Sequence, residues 1–206
     1  MANLMTNTCY TQKYMNSNFP RFYIFDLDGT LALSEHIKLA ATQDVCKKNH
    51  IEPISEKEYF EWAGAPTKTL FQNFLVKRAI QPVPELIQRL ADERRDAYRD
   101  RIDLVERHEP IVSLLQALSP HYKTALVTTS IRDIGLAVLE NLEIINLFDV
   151  MVFGDDVKHN KPDPEPYELA AKLLKAKADQ CLIFEDSASG ISAAKAFGAQ
   201  VVKVTI

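Results

Sequence analysis

Residues 23–35, "YIFDLDGTLALSE", contain the transition on which the fold prediction depends. An uninterrupted run of apolar and aromatic residues, 22–25, stops at Asp26, and a second aspartate, Asp28, follows two residues later. Continuous apolar runs are typical of strands that are buried on both faces of a parallel sheet. Ligands of such sheets bind beyond the carboxyl ends of the strands, where these two aspartates stand. The stretch therefore predicts a buried strand that delivers two carboxylates to a ligand site.

From about residue 109 onward, the sequence alternates between helical and strand patterns. The predicted strands are short apolar runs: "KTALVTT", "DVMVF", "CLIFED" and "QVVKV". The predicted helices are amphipathic: "PIVSLLQAL", "RDIGLAVLENL", "PEPYELAAKLLKA" and "SGISAAKAF". This alternation predicts an α/β fold with a doubly wound parallel sheet, to which the strand at 22–25 also belongs.

Residues 34–106 contain no convincing strand and predict an all-helical insertion after the first strand. Residues 34–49 have apolar positions at helical spacing behind Ser34, a residue type that caps helices. Residues 84–106 carry one apolar stripe that two arginines interrupt. A glycine and a proline in 62–71 indicate a loop between helices.

These patterns divide the chain into three parts. We expect 1–20 to be a flexible N-terminal extension, because it is polar and lacks the apolar core of a signal peptide. Residues 21–33 together with 107–206 are expected to form a Rossmann-like core domain, and 34–106 a helical insertion directly after its first strand.

Charge and cysteine content narrow the class of protein. A net charge of -4 on 206 residues gives no electrostatic case for nucleic acid or an anionic membrane as a partner. Three cysteines without a CxxC pair are typical of reduced thiols, and no apolar run is long enough to span a bilayer. We therefore expect a cytoplasmic protein without nucleic-acid or membrane partners, and the sequence leaves its oligomeric state open.

Polar side chains follow the predicted strands, where they would meet at one edge of the sheet. They are carboxylates, hydroxyls and one lysine: Asp26, Asp28, Thr128, Thr129, Ser130, Asp155, Asp156, Lys161, Glu185, Asp186 and Ser187. Several carboxylates in one cleft repel one another unless a cation neutralises them, and hard oxygen ligands suit Mg²⁺ with a substrate phosphate. One aspartate can attack phosphorus, and a second carboxylate can protonate the leaving oxygen and later deprotonate water.

Four motifs in this order resemble those of the haloacid dehalogenase (HAD) superfamily. They are "DLDGT" at 26–30, "LVTTS" at 126–130, "KPDPEPY" at 161–167 and "FEDSASGISAAKAFGA" at 184–199. The resemblance covers about residues 21–204. It points to the subclass with a helical cap after the first motif, which holds the phosphoglycolate phosphatase-like and β-phosphoglucomutase-like proteins. The resemblance implies that 34–106 is a helical cap domain and, because cap closure excludes water in that family, a mobile lid over the ligand site. In that family the first strand lies at the centre of the sheet.

The resemblance implies catalytic roles for four residues. Asp26 matches the nucleophile and a magnesium ligand. Asp28 matches the general acid/base, whose backbone carbonyl also binds the metal. Thr128 matches the hydroxyl that holds the transferring phosphoryl group, and Lys161 matches the lysine that neutralises the nucleophile and the phosphate.

The other motif positions imply metal and substrate contacts. Asp186 matches the second acidic magnesium ligand, with Glu185 beside it in a supporting role. Thr129 and Ser130 follow Thr128 directly, and their hydroxyls suit a substrate phosphate.

Several positions of the cap depart from the family pattern. The aspartate that usually follows DGT is Leu33 here, and the histidine of the mutases is Lys38. The arginine with which mutases hold a second phosphate is approximated only by Lys68. We expect Lys38 and Lys68 to bind an anionic substrate as point charges, because a lysine lacks the planar two-pronged grip of arginine.

The resulting prediction is a magnesium-dependent phosphatase that hydrolyses a small phosphorylated metabolite through an aspartyl-phosphate intermediate. The alternative is a phosphosugar mutase of the β-phosphoglucomutase type, which needs a second phosphate grip and a proton shuttle at positions that are replaced here. A non-catalytic phosphometabolite-binding domain is a third alternative, against which the complete set of motif residues argues. Haloacid dehalogenation is disfavoured because that branch of the family has no use for Asp28 as a general acid/base.

Overall fold

The computed structural model describes residues 20–62 and 64–205. Of the predicted N-terminal extension, residues 1–19 lie outside this described part. The described residues contain seven strands: β1 (Phe22–Phe25), β2 (Ala32–Leu33), β3 (Glu106–Arg107), β4 (Lys123–Val127), β5 (Val150–Val152), β6 (Cys181–Glu185) and β7 (Gln200–Lys203). They form one sheet of five strands and one of two.

Strand β1 lies at the centre of the five-stranded sheet. The strand order is β5-β4-β1-β6-β7, and all neighbouring strands are parallel. Phe25, the last residue of β1, pairs with Leu126 on one side and with Phe184 on the other. The Asp26 N–H continues this ladder and donates to the Phe184 carbonyl oxygen at 3.0 Å. The register therefore places Asp26 in the middle of the carboxyl edge.

Helices cover both faces of this sheet. The helices of the described residues are α1 (Glu35–Lys48), α2 (Glu56–Phe60), α3 (Thr67–Lys77), α4 (Pro84–Arg99), α5 (Glu109–Leu118), α6 (Arg132–Asn141), α7 (Glu165–Leu174) and α8 (Ala188–Phe197). Phe25 packs with residues of α5 and α6, and its neighbour Ile24 packs with residues of α7 and α8. Since both faces are buried, the strands are apolar throughout, as the sequence predicts.

Helices α1 to α4 form a second apolar cluster of their own. Its largest buried side chains are Tyr59, Phe71 and Phe74, which come from α2 and α3. The chain enters and leaves this helical segment side by side, because β2 and β3 pair in antiparallel fashion. The two connections to the sheet thus lie next to each other, close to the end of β1.

The helix predicted over 84–106 ends early. Helix α4 stops at Arg99, a 3₁₀ turn follows at Ile102–Leu104, and β3 begins at Glu106. The physical reason is the pairing of Glu106 with Leu33, which requires extended backbone. The prediction that residues 34–106 contain no strand is therefore wrong at its last residue, Glu106.

The predicted loop over 62–71 is shorter than expected. Helix α3 begins at Thr67, directly after Pro66, whose backbone is extended (φ -55°, ψ 139°). A proline at this position favours the extended conformation that precedes a helix and removes no helical hydrogen bond.

The predicted α/β fold, with a doubly wound parallel sheet and an additional helical segment, is confirmed. The division into a core domain and a cap domain stays a prediction, and we refer to 34–106 as the helical segment. Among the described residues, no helix combines the length and apolar character that a membrane span requires.

Candidate active site

A cavity of about 460 Å³ lies between the carboxyl edge of the sheet and the helical segment. The core contributes side chains that follow β1, β4 and β5: Asp26, Asp28, Thr129, Ser130, Asp155 and Lys161. The helical segment contributes both polar and aromatic side chains, among them Glu35, Lys38, Tyr59, Trp62, Lys68, Arg94 and Tyr98. Seven of the predicted site residues thus line one cavity, whereas Thr128, Glu185 and Asp186 are not part of its lining.

Lys161 connects Asp26 to the end of β6. Its Nζ donates to Asp26 Oδ1 and to Glu185 Oε1 at 2.6 Å each, and to the Val127 carbonyl oxygen at 2.9 Å. The lysine is only 3% exposed, so three protein acceptors replace its water shell. Burial alone would lower the pKa of Lys161, but the charges of Asp26 and Glu185 outweigh it and raise the pKa well above its usual value. Lys161 is therefore a permanent cation beside Asp26.

Glu185 is a fully buried carboxylate that is held at both oxygens. Oε1 also accepts from the Tyr167 hydroxyl at 3.1 Å, and Oε2 accepts from the N–H and the hydroxyl of Ser187 at 2.9 Å each. Helix α8 approaches so closely that a Cβ at Gly190 would lie 1.7 Å from Oε1. Glu185 is thus a rigid support that fixes the direction of Lys161.

The ionisation of Asp26 is opposed by its surroundings. Burial raises the pKa of Asp26 well above its usual value; the charge of Lys161 lowers it, and those of Glu185 and Asp186 raise it further. One ammonium group thus faces several carboxylates. An additional positive charge in this cluster would favour the ionised form of Asp26.

Asp186 completes a group of carboxylates that is able to hold a cation. Thr30 donates to Asp186 Oδ1 at 3.2 Å, and a Cβ at Gly29 (φ +85°) would lie 2.2 Å from Oδ2. Burial and the charge of Glu185 raise the pKa of Asp186 to about 6. Carboxylate oxygens of Asp26, Glu185 and Asp186 all lie within 4.8 Å of one another. These three carboxylates lie close enough together to hold one cation, and the absence of a side chain at Gly29 leaves room for the carboxylate of Asp186.

Asp28 accepts bonds from three side chains. Ser34 Oγ and Lys38 Nζ each lie 2.6 Å from Oδ1, and Ser130 Oγ lies 2.7 Å from Oδ2. Ser34 occupies the N-cap position of α1 as predicted, but its hydroxyl bonds to Asp28 instead of capping the helix. Burial raises the pKa of Asp28, yet the charge and hydrogen bond of Lys38 outweigh it, so the net shift is downward. Asp28 is therefore ionised in this structure.

The three hydroxyls after β4 differ in their exposure to the cavity. Thr129 and Ser130 line it, whereas Thr128 is 2% exposed and lies beneath them. Thr128 Oγ1 accepts from the Ser130 N–H at 3.0 Å, which fixes the turn of the chain. The role of Thr128 in holding a phosphoryl group stays a prediction.

Both lysines that were predicted to bind substrate line the cavity. Lys38 is largely buried and pairs with Asp28 and, at 3.4 Å, with Glu35. Lys68 is exposed at the start of α3 and forms no ion pair within the described part of the chain. Their roles toward a substrate stay predictions.

The sequence reasoning missed Arg94 as a cavity residue. This arginine of α4 is one of the two that interrupt the apolar stripe of 84–106, and the structure places it in the cavity wall. An arginine within the apolar stripe could have indicated this position, because a charged residue on the inward face of a helix requires a polar environment, such as a ligand cavity.

The chain matches known proteins over most of its length. Residues 23–204 match the family model described as haloacid dehalogenase-like hydrolase. Validoxylamine A 7'-phosphate phosphatase of Streptomyces hygroscopicus subsp. limoneus is 31% identical over 88% of this chain and 84% of its own. Phosphorylated carbohydrates phosphatase of Thermotoga maritima is 31% identical over 85% of this chain and 80% of its own. Fructose-1-phosphate phosphatase of Escherichia coli is 30% identical over 89% and 95%.

Solved structures with a similar fold include proteins of more than one activity. A predicted phosphoglycolate phosphatase from Haemophilus somnus superposes with a TM-score of 0.82 at 23% identity, over 92% of this chain and 87% of its own. A β-phosphoglucomutase from Clostridium difficile superposes with a TM-score of 0.80 at 26% identity, over 91% of this chain and 86% of its own. The first of these likenesses concerns the fold alone.

Proposed function

The chain belongs to the haloacid dehalogenase-like hydrolases, and on that premise we propose that it is a magnesium-dependent phosphatase acting on a small phosphorylated metabolite through an aspartyl-phosphate intermediate. The family and the named relatives support the wider class of enzyme, a phosphoric monoester hydrolase. The observation that carries the finer proposal is the contact of Lys161 with Asp26 and Glu185 at 2.6 Å each. It places a buried cation beside the one aspartate that stands in the middle of the sheet edge.

The donor set fits Mg²⁺. The carboxylates of Asp26 and Asp186, with the backbone carbonyl of Asp28, are hard oxygen donors of the type that this ion prefers. Glu185 suits a supporting role, because its two oxygens already accept bonds from Lys161, Tyr167 and Ser187. When bound, the ion would neutralise the cluster and stabilise the charge that develops on the phosphoryl oxygens.

The first chemical step would use Asp26 as the nucleophile. Among the described residues, Lys161 is the only side chain that bonds to Asp26, and it does so through Oδ1. Oδ2 is thus left to attack phosphorus as the ester P–O bond breaks and the leaving oxygen departs with the bonding electrons. The ammonium of Lys161 would hold the carboxylate in place and offset the charge of the phosphate. Thr128 would hold the transferring phosphoryl group. The hydroxyls of Thr129 and Ser130 face the cavity and would bind its oxygens, for which Ser130 would give up its bond to Asp28.

The second step would use Asp28 to deprotonate the water that releases phosphate from Asp26. The ion pair with Lys38 keeps Asp28 ionised in this structure, which suits this step. An ionised Asp28 is less suited to protonating a leaving group, because it carries no proton to donate. We therefore expect aryl phosphates, whose leaving groups need little protonation, to be turned over faster than alkyl phosphates.

Phosphate release from 4-nitrophenyl phosphate, with Mg²⁺ and with excess EDTA, tests this proposal. We expect release with the metal and none with the chelator, and a loss of at least ~10³-fold in Asp26→Asn, since a catalytic nucleophile is removed. Asp103→Asn is the matched control, because Asp103 is exposed and forms no ion pair in the described part of the chain. Full activity in EDTA, or equal rates in both variants, would contradict the proposal.

The predicted phosphosugar mutase remains the second candidate because Arg94 provides the cavity with an arginine. Against it, Lys38 stands at the position of the mutase histidine and is engaged with Asp28 and Glu35. The test supplies β-glucose 1-phosphate with a trace of the 1,6-bisphosphate and follows both products. We expect free phosphate or no turnover; glucose 6-phosphate formed faster than phosphate would favour the mutase. Binding of phosphometabolites without any turnover would favour the non-catalytic alternative.

We also propose that the helical segment is a cap that closes over the cavity. The paired strands β2 and β3 are the two connections about which it would move. Structures with and without a metal-fluoride phosphate mimic should differ mainly by a rigid rotation of 34–106. An unchanged orientation in both states would contradict a moving cap.

A further inference from the structure

Arg94 is held in the cavity wall by hydroxyl groups from three other helices. Its Nε donates to Thr42 Oγ1 of α1 at 2.8 Å, and one terminal nitrogen donates to Thr67 Oγ1 of α3 at 2.7 Å. The other terminal nitrogen donates to the Tyr59 hydroxyl of α2 at 3.3 Å. A guanidinium has five N–H donors, so two of them remain after these three bonds.

Three other cations of the cavity are engaged by carboxylates. Lys161 pairs with Asp26 and Glu185, and Lys38 pairs with Asp28 and Glu35. Arg95, the neighbour of Arg94, pairs with Asp92 at 2.9 Å. Arg94 has no carboxylate within 4.0 Å among residues 20–62 and 64–205.

We infer that Arg94 binds a second anionic group of the substrate, either a carboxylate or a second phosphate, in addition to the transferred phosphate. This inference rests on the proposed phosphatase function and adds a substrate class to it. The two free N–H groups of a guanidinium match a carboxylate or phosphate in a bidentate fashion. Three hydroxyl tethers fix the plane of the guanidinium before the substrate arrives, so little side-chain freedom is lost on binding.

The charge around Arg94 favours an anion over a neutral sugar hydroxyl. Arg94 is partly buried, and its direct hydrogen-bond partners are all neutral hydroxyls. The carboxylate of Glu35 is linked to it only through the Tyr59 hydroxyl, which donates to Glu35 Oε2 at 2.9 Å. An anionic ligand would supply a direct counter-charge. Lys68 lies on the same wall of the cavity without an ion pair in the described residues, and it adds a second positive charge. The competing explanation is that Arg94 only ties the four helices together through its hydroxyl contacts.

Binding to the Asp26→Asn variant in the presence of Mg²⁺ separates these explanations, because this variant leaves substrates unhydrolysed. Isothermal titration compares two matched pairs: 3-phosphoglycerate with glycerol 3-phosphate, and fructose 1,6-bisphosphate with fructose 1-phosphate. Within each pair only one ligand carries the second anion. We expect the anionic member of at least one pair to bind about tenfold or more tightly, as charge-assisted hydrogen bonds contribute. The pair with the larger ratio identifies the group as carboxylate or phosphate.

Substitution of Arg94 then assigns this preference to one side chain. In the Asp26→Asn background, Arg94→Gln should reduce the affinity ratio about tenfold, while Arg95→Gln should leave the ratio within about threefold. If Arg94→Gln does not fold, Arg94→Lys is measured instead, and we expect a smaller ratio because lysine lacks the two-pronged grip. Equal affinities within both ligand pairs for the Asp26→Asn protein that retains Arg94 would overturn the inference. Equal effects of Arg94→Gln and Arg95→Gln on the affinity ratio would also overturn it.

Turnover of 4-nitrophenyl phosphate by the wild-type protein keeps the two proposals distinct. This substrate has no second anion. If 4-nitrophenyl phosphate is turned over but the binding assay shows no preference for a second anion, the role of Arg94 is refuted and the phosphatase proposal stands. A preference in binding without turnover of any substrate refutes the phosphatase and leaves Arg94 as a binding residue.

Discussion

Replacement of Lys161 by methionine should strongly destabilise the metal-free protein. Methionine has about the length of lysine and fills the same space, but it carries no charge and donates no hydrogen bond. Asp26 Oδ1 and Glu185 Oε1 would each lose a charge-assisted bond of 2.6 Å, and the Val127 carbonyl would lose one of 2.9 Å. The two carboxylates would then stay buried without their counter-charge.

The size of this effect follows from the burial of the cluster. Lys161 is 3% exposed and Glu185 is fully buried, so solvent does little to screen the pair. Removing one partner of a buried ion pair costs about 3–5 kcal/mol of the free energy of unfolding. For a chain of this size each kcal/mol lowers Tm by about 2–4 °C, so the expected loss is about 6–20 °C.

Thermal melts in EDTA, in Mg²⁺ and at two pH values provide the assay. The loss of Tm should be largest in EDTA at pH 7.5 and smaller with Mg²⁺, which would offset the buried charge. It should also be smaller at pH 5, because the pKa of Asp26 is raised and protonation removes part of the uncompensated charge. Lys158→Met is the matched control, since Lys158 is exposed and lies three residues before Lys161.

Equal melting temperatures of Lys161→Met and Lys158→Met in EDTA would refute this reasoning. A loss that is unaffected by Mg²⁺ and pH would refute its electrostatic part and leave only a packing effect.

Three further predictions concern the same cluster. Burial and the charge of Glu185 raise the pKa of Asp186 to about 6. The carboxyl group of Asp186 therefore binds its proton more tightly in the folded protein than in the unfolded one. The free energy of unfolding in EDTA should accordingly fall as pH rises from about 4 to 6. Asp186→Asn should therefore raise Tm in EDTA at pH 7.5 and abolish the rise of Tm with Mg²⁺; an unchanged Mg²⁺ response would contradict the metal assignment. Gly190→Ala should reduce folded yield or lower Tm markedly, whereas Ser192→Ala on the exposed side of α8 should not, because the added methyl would lie 1.7 Å from Glu185 Oε1. Asp28→Asn should lower steady-state turnover about 10²–10⁴-fold, as loss of a general acid/base does, and leave a slowly hydrolysed phosphoenzyme. Rapid release of phosphate by this variant in a single turnover would be inconsistent with the role of Asp28.

The central part of the fold could be predicted because its signals are local. The strand at 22–25 is continuous and apolar, and the sequence alternates between strand and helix patterns from residue 109 onward. The edge at which polar residues meet follows from the parallel arrangement alone. The strand pattern predicts that Asp26 and Lys161 share this edge, although they are 135 positions apart. Their direct contact was implied only by the resemblance to a known family.

The parts that the sequence did not predict depend on tertiary contacts. Strands β2 and β3 have two residues each, which is too short for any periodic pattern, and they form only because they pair with each other. Ser34 has the residue type of a helix cap, yet the nearby carboxylate of Asp28 competes for its hydroxyl at 2.6 Å. The position of Arg94 in the cavity depends on how α4 packs against three other helices, which no spacing along 84–106 determines.

The most direct test of the account is to identify the residue that carries the phosphoryl group during turnover. The protein is mixed with Mg²⁺ and 4-nitrophenyl phosphate, quenched in acid within the first turnover, digested and mapped by mass spectrometry. We expect one phosphorylated peptide, with the group on Asp26, and no adduct in Asp26→Asn. A phosphoryl group on any other residue, or phosphate release by Asp26→Asn at the wild-type rate, would contradict the assignment of Asp26 as the nucleophile.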